Sequence, residues 1–303
     1  MIRLVSIVTE DFWPGFAALL QSLGENAGWG VDEFQFTAIC DVDRAPHAWL
    51  AGREERVELF PRVRIPEVVP LSAQTQGKRM ENALQKLGVF ALPEEWGKCV
   101  YVDCDMVCVG PLRELETIEP FAAAGEVLAG FGVRDPSALD CEVNTGLMVF
   151  QPGHGQFEAL CRTYAETHHL RRHKGDQDVI NAWLEGREIH RLGSEWNFSK
   201  RFQESVGLPW IKQRTGQIKV LHFVAAKPWE SNRTINTVRE CKYQWLEEIW
   251  WDYFDRSGFA KHMQTPPHRR TALLRTWVLP WTKPAILREH ATRLSRLIRR
   301  VGG

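Results

Sequence analysis

The chain has 303 residues, 44% of them hydrophobic and 25% charged, an ordinary mixture for a soluble globular protein of one large α/β domain or two smaller ones. Its 38 basic side chains balance 38 acidic ones, and its seven cysteines include no Cys-x-x-Cys pair. A zinc ribbon or thioredoxin-type centre is thereby excluded, no run of 18 apolar residues offers a membrane span, and reduced, mostly buried thiols of a cytoplasmic protein are expected.

The first apolar run, residues 4–8, reads as a buried strand; it is too short for a secretory signal and has no cleavage site. Phe16, Leu19, Leu20 and Leu23 then recur at helical spacing, ending near Gly24. Residues 34–40 form a second strand, and Asp41-Val42-Asp43 follows as a turn. Helical spacing returns over 78–92, at Met80, Leu84, Leu87 and Phe90. Residues 99–109 read as a strand broken by two acids. Further strands are expected at 128–133 and 147–150, and helices around Phe157, Leu160, Cys161 and Tyr164 and over 176–184. A late strand at 218–223 and a Trp-rich helix at 241–254 complete the series. Strands alternating with helices predict a largely parallel sheet covered on both faces.

The sharpest local feature is Val100-Tyr101-Val102-Asp103-Cys104-Asp105, an apolar strand running directly into two acids. Ligands of open α/β sheets bind beyond the carboxyl ends of the strands. Two aspartates two apart at such an end can both reach one cation. Mg²⁺ and Mn²⁺ prefer such oxygens and usually also hold a substrate phosphate. The inert alternative is a solvated pair at a strand–loop junction. A haloacid-dehalogenase phosphatase also places Asp-x-Asp after an apolar strand, with the first Asp as nucleophile. There the motif lies near the start of the domain and a Gly-Asp-x-x-x-Asp pair follows; Gly175-Asp176-Gln177-Asp178 has a different acid spacing.

Other segments flank this motif in order. They are Val8-Thr9-Glu10-Asp11-Phe12-Trp13; Lys86, 17 residues before Asp103; Asp135-Pro136 followed by Asn144-Thr145-Gly146; Asp176-Gln177; and His222 with Lys227-Pro228-Trp229. Together, over residues 2–230, they resemble glycosyltransferase family 8, which includes glycogenin and bacterial lipopolysaccharide galactosyl- and glucosyltransferases. The resemblance implies a GT-A-type, Rossmann-like α/β/α sandwich with a mixed, mostly parallel central sheet, over residues 1–262. It implies that Val8, Thr9 and Trp13 hold uridine and that Lys86 holds the donor through charge. Asp103, Cys104 and Asp105 would meet the diphosphate and its metal, with His222 as third metal ligand beside Asp103 and Asp105. Asp135, Asn144, Thr145 and Gly146 would lie beside the donor sugar, and Lys227 against the diphosphate. Asp176 would bind sugar hydroxyls, and Gln177 would face the anomeric carbon. An imidazole joining two carboxylates suits Mn²⁺ better than Mg²⁺.

Each assignment has a plain structural alternative: Trp13 as a core residue, Lys86 as a solvated helix lysine, Asn144 in a turn, Asp176 as a helix cap. The chain also departs from the family pattern. Glu10 replaces an Asn, Ala225 or Ala226 stands near a family Gly, and the interval from His222 to Lys227 is one residue short. The implied reaction is retaining transfer of a hexose from a UDP-sugar to a glycan or lipid-linked acceptor. The phosphatase, and a catalytically silent sugar-nucleotide-binding protein, stay open at this point.

The charge is uneven: residues 266–303 hold nine Lys or Arg against one Glu. Trp277 and Trp281 flank Pro280, and Leu287, Ala291, Leu294, Ile298 and Val301 recur at helical spacing among arginines. Residues 263–303 are therefore expected to form a basic amphipathic tail lying on an anionic membrane surface, peripheral on the cytoplasmic face. No stacking platform or groove-reading motif accompanies these arginines, so no nucleic-acid partner is expected.

Overall fold

A computed structural model describes residues 1–30, 32–63, 85–126, 128–129, 132–133, 142–167, 175–230 and 241–267. Asp135, the first half of the helix expected over 78–92, and the basic tail beyond residue 267 lie outside the described residues.

Alternation of side chains along the first strand sets up two cores. In β1 (Ile2–Ile7), Leu4 joins one hydrophobic cluster and Val5 the other. Parallel partners extend it on both sides: β2 (Phe34–Cys40) and β3 (Val57–Pro61) one way, and β4 (Cys99–Val102) the other. After β4 the chain turns into β5 (Met106–Cys108), which leaves this sheet. It returns as β6 (Ala122–Gly125), passes short paired strands β7 (Leu128–Ala129) and β8 (Gly132–Val133), and enters β9 (Val143–Phe150). β9 runs antiparallel between β4 and β6, and β10 (His190–Leu192) closes the edge parallel to β6. The seven-stranded order is β10-β6-β9-β4-β1-β2-β3, with β9 alone reversed. A small second sheet joins β11 (Phe198–Ser199), β12 (Val220–His222) and β5.

Two longer helices cover one face: α1 (Trp13–Asn26), which contributes Phe16, Leu19 and Leu23, and later in the chain the Trp-rich helix 244–257. The other face takes α2 (His154–Thr167) and α3 (Asp176–Leu184), through Phe157, Leu160, Ile180 and Trp183. The Trp-rich helix is α4 (Gln244–Ser257), where Trp250 stacks on Phe254 at 5.0 Å and meets Trp229 at 5.2 Å. Each of these large side chains contributes ~1.5–3 kcal/mol by leaving water. The result is the expected α/β/α sandwich around a mixed, mostly parallel sheet.

Three local expectations differ. Residues 85–91 form a 3-10 helix rather than an α-helix. The segment 99–109 is two strands in two sheets, split at the acid pair. β6 was not anticipated: Ala122-Ala123-Ala124-Gly125 is made of strong helix formers and Gly, yet it is fully buried between β10 and β9, where small side chains fit. Cys40, Cys99, Cys104, Cys108 and Cys161 are buried free thiols, and burial pushes those of Cys99 and Cys108 up to about 12. No helix among the described residues is long and apolar enough to cross a membrane.

Candidate active site at the carboxyl edge of the sheet

The strand order converges polar residues on one edge. Asp103 follows the last residue of β4, and Glu126 follows the last of β6. Because β9 is antiparallel, its beginning lies at the same edge, with Leu147 opposite Val102 and Val143 opposite Gly125. Asn144, Thr145 and Gly146 therefore stand beside both acids. Asn181 of α3 clamps Val143 through both backbone groups, at 2.7 and 2.9 Å, which seats the first turn of α3, with Asp176 and Gln177, against the same edge. The second sheet supplies the far wall. His222 pairs with Met106, and the Phe223 N–H donates to the Asp105 carbonyl at 2.8 Å. These elements enclose a polar cleft of ~430 Å³, within the usual range for small-molecule sites.

One oxygen each of Asp103 and Asp105 and one nitrogen of His222 lie within 4.8 Å of one another. His222 Nε2 is 3.3 Å from Asp105 and 4.0 Å from Asp103. A series of hydrogen bonds orients the imidazole. The Gly146 backbone N–H, which can only donate, gives to Asn144 Oδ1 at 2.9 Å. The same oxygen accepts from Asn197 Nδ2 at 2.7 Å, so Asn197 Oδ1 faces His222 Nδ1 at 2.8 Å as acceptor. Nδ1 is thus the donor to Asn197, and the ring is held with Nε2 facing the aspartates. Gly146 is required sterically: a Cβ there would stand 2.6 Å from Met106 Cε and 2.7 Å from His222 Cε1. Two carboxylates and a correctly oriented imidazole nitrogen form a donor set that fits Mn²⁺ or Mg²⁺.

Cations neutralise this end of the cleft. Lys86, 7% exposed, lies 3.1 Å from Asp103 and 2.9 Å from Asp176, and donates to Thr145 Oγ1 at 3.3 Å. Burial opposes its charge, but Asp103 and Asp176 outweigh that and hold the ammonium above its ordinary pKa. Lys227 Nζ donates to Asp105 Oδ2. Burial acts to raise the Asp105 pKa, but Lys227 and His222 overcome it and leave the carboxyl well below the usual range. Asp103 moves the other way, raised by burial and by Asp105 against the pull of Lys86. The other end is built from amides and one acid: Glu126 Oε2 accepts from Asn144 Nδ2 at 2.8 Å and Gln177 Nε2 at 3.1 Å.

The cleft therefore gathers Lys86, Asp103, Asp105, Asn144, Thr145, Gly146, Asp176, Gln177, His222 and Lys227. Four expected contacts do not line this cleft with their side chains. Trp13 is 5% exposed and meets Phe16 edge-on at 5.5 Å, so its ring is spent on the core of α1. Cys104 is buried with its thiol donating to the Ile7 carbonyl at 3.2 Å, because the middle residue of the acid pair points back into the sheet. Val8 is in the core, and Thr9 is buried with its hydroxyl on Asp11 at 2.6 Å. Lys86 is an inter-element bridge rather than a solvated helix lysine. Glu126, Asn197 and Arg201 were not anticipated. Glu126 and Arg201 line the cleft, and Asn197 stands behind His222. Glu126 would have been legible as a strand-end acid had β6 been recognised; Asn197 and Arg201 carry no sequence signal.

The family model described as glycosyl transferase family 8 matches residues 4–233. Glycogenin of Komagataella phaffii is 27% identical over 188 residues, covering 58% of this chain and 44% of that protein. Glycogenin-1 of Oryctolagus cuniculus is 27% identical over 189 residues, 57% of this chain and 52% of that one. The chain thus spans about half the length of these relatives. Among solved structures, the galactosyltransferase LgtC, in complex with donor and acceptor sugar analogs, superposes with a TM-score of 0.63 at 17% identity, over 88% of this chain and 98% of that one. The glycosyltransferase GlyE of Streptococcus pneumoniae gives 0.55 at 17%, over 84% and 60%. At these identities the structural likeness establishes the fold, α/β of the GT-A type.

Proposed function

The chain belongs to glycosyltransferase family 8, and from that premise we propose that it moves a hexose from a UDP-sugar to a glycan or lipid-linked acceptor with retention of configuration. The observation that carries this reading is the meeting of Asp103, Asp105 and His222 at one end of a cleft whose other end presents Glu126, Asn144 and Gln177. The first end matches a cation-bound diphosphate and the second matches sugar hydroxyls, which need both donors and acceptors. Phosphate-ester hydrolysis by an aspartyl nucleophile loses its support, since the family model that matches residues 4–233 is that of a glycosyl transferase.

Cleaving the sugar–diphosphate bond places negative charge on the departing phosphate. When bound at Asp103, Asp105 and His222, Mn²⁺ or Mg²⁺ supplies Lewis-acid stabilisation of that charge. Lys227 adds a buried point charge beside Asp105. Asp176 is paired with Lys86 and accepts from Thr145 Oγ1 at 3.0 Å, which leaves it a poor nucleophile and suits it to holding sugar hydroxyls. We therefore favour same-face attack, with Gln177 as an electrostatic stabiliser of the anomeric carbon. Residues 1–262 would form the catalytic body and residues 263–303 the membrane-facing tail.

Screening UDP-sugars for UDP release tests the reading: release by one hexose donor is expected with Mn²⁺ and is lost with chelator. Failure to bind UDP in the presence of Mn²⁺ would sink it, and UDP binding without turnover would favour the silent binding protein.

A further inference from the structure

The loop from His222 to Lys227 is one of the places where the chain departs from the family pattern, and its geometry has an unusual support. Ala225 lies at φ +65°, a left-handed conformation that strains a non-glycine residue. Val224, Ala225 and Lys227 all line the cleft, so the loop is part of the site. Its two ends are fixed: the Phe223 N–H bonds to the Asp105 carbonyl, and Trp229 Nε1 donates to the Asp11 carbonyl at 3.0 Å. Between them, the Ala226 carbonyl accepts from Lys200 Nζ at 2.5 Å. Lys200 follows Ser199, the residue that pairs with His222, and is 1% exposed. Its ammonium is 3.7 Å from Glu247 of α4, itself 2% exposed, and 5.1 Å from the Tyr243 ring centroid.

A lysine and a glutamate buried together are costly unless their geometry does something a hydrophobic pair would not. Here the ammonium reaches past its carboxylate partner to a main-chain carbonyl one residue beyond the strained Ala225. We propose that Lys200, oriented by Glu247, is a positioning residue that holds the Val224–Lys227 loop in its left-handed path and so presents Lys227 to the diphosphate end of the cleft. This rests on the donor-binding reading above for its functional consequence, but not for the loop itself. In place of the flexible glycine expected in this loop, the chain uses an alanine plus a buried ionic tether.

The test is amide hydrogen exchange on the full chain. The double variant Lys200→Met/Glu247→Gln, which leaves no lone buried charge, should exchange residues 223–227 at least tenfold faster, with β1 and β2 unchanged. Adding Ala225→Gly should restore about fivefold of the protection, because glycine removes the left-handed penalty. Apparent affinity for UDP with Mn²⁺ should fall and recover in parallel. Unchanged exchange in the loop, a loss of protection shared equally by β1 and β2, or no recovery with glycine would overturn the proposal. A parent chain that does not bind UDP with Mn²⁺ sinks the transferase reading, while the exchange comparison still decides the tether.

Discussion

Of the three Asp-x-Asp segments in this chain, two follow directly on β-strands, and these two differ in almost everything but sequence. Asp41-Val42-Asp43 sits at the end of β2 in a 3-10 turn with both acids exposed, Asp41 lying 3.5 Å from an exposed Arg44. Asp103-Cys104-Asp105 lies where β4 leaves one sheet and β5 enters another, and each acid meets a buried lysine. Exposed ion pairs contribute little, whereas buried acids held by cations and an imidazole are poised for ligand chemistry. What separates the pairs is the second sheet. It brings His222 from 117 positions beyond Asp105 and gives the later pair a wall that the earlier one lacks.

The comparison can be broken most directly by Asp105→Asn, which should lower kcat/KM for UDP-sugar turnover by about 10³-fold. Retention of full activity would place the metal chemistry elsewhere. Gly146→Ala should come next, destabilising the fold by about 2 kcal/mol as its new Cβ drives into Met106 and His222; a denaturation midpoint equal to the parent's would contradict the packing. Asn197→Ala frees His222 Nδ1 and should weaken Mn²⁺ affinity by about tenfold with little change in stability, read by titration calorimetry. A smaller effect follows from pH. The Asp103 carboxyl, raised first by burial and then by Asp105, keeps its proton to higher pH than a free carboxylate. Mn²⁺ must displace that proton, so Mn²⁺ affinity should climb a few-fold as pH rises through and above the ordinary carboxylate range. A flat profile would show Asp103 already ionised. Asp41→Asn/Asp43→Asn should change neither stability nor turnover measurably.

Much of this was legible in the residues, and the limits have physical causes. Both acids of the Asp103–Asp105 pair are visible because an apolar strand ends at them. His222 is visible through Lys227-Pro228-Trp229. Trp13 misled because an aromatic at a helix start serves a core and a nucleoside base equally well until its burial is known. β6 stayed hidden because alanine's local preference opposes the strand it forms. Lys200 and Asn197 could not be found at all, since their partners Ala226, Glu247 and His222 lie 26, 47 and 25 positions away and only the folded sheet brings them together.

The bridge made by Lys86 has a consequence for how such a cleft comes into being. Its ammonium ties Asp103 to Asp176, 73 positions further on, and with Lys86 at one end and His222 at the other the cluster spans 136 positions of chain. No short fragment contains the ensemble, so ligand affinity and cooperative folding become one equilibrium, and a tightly held donor would slow the opening of the whole sheet rather than of one loop.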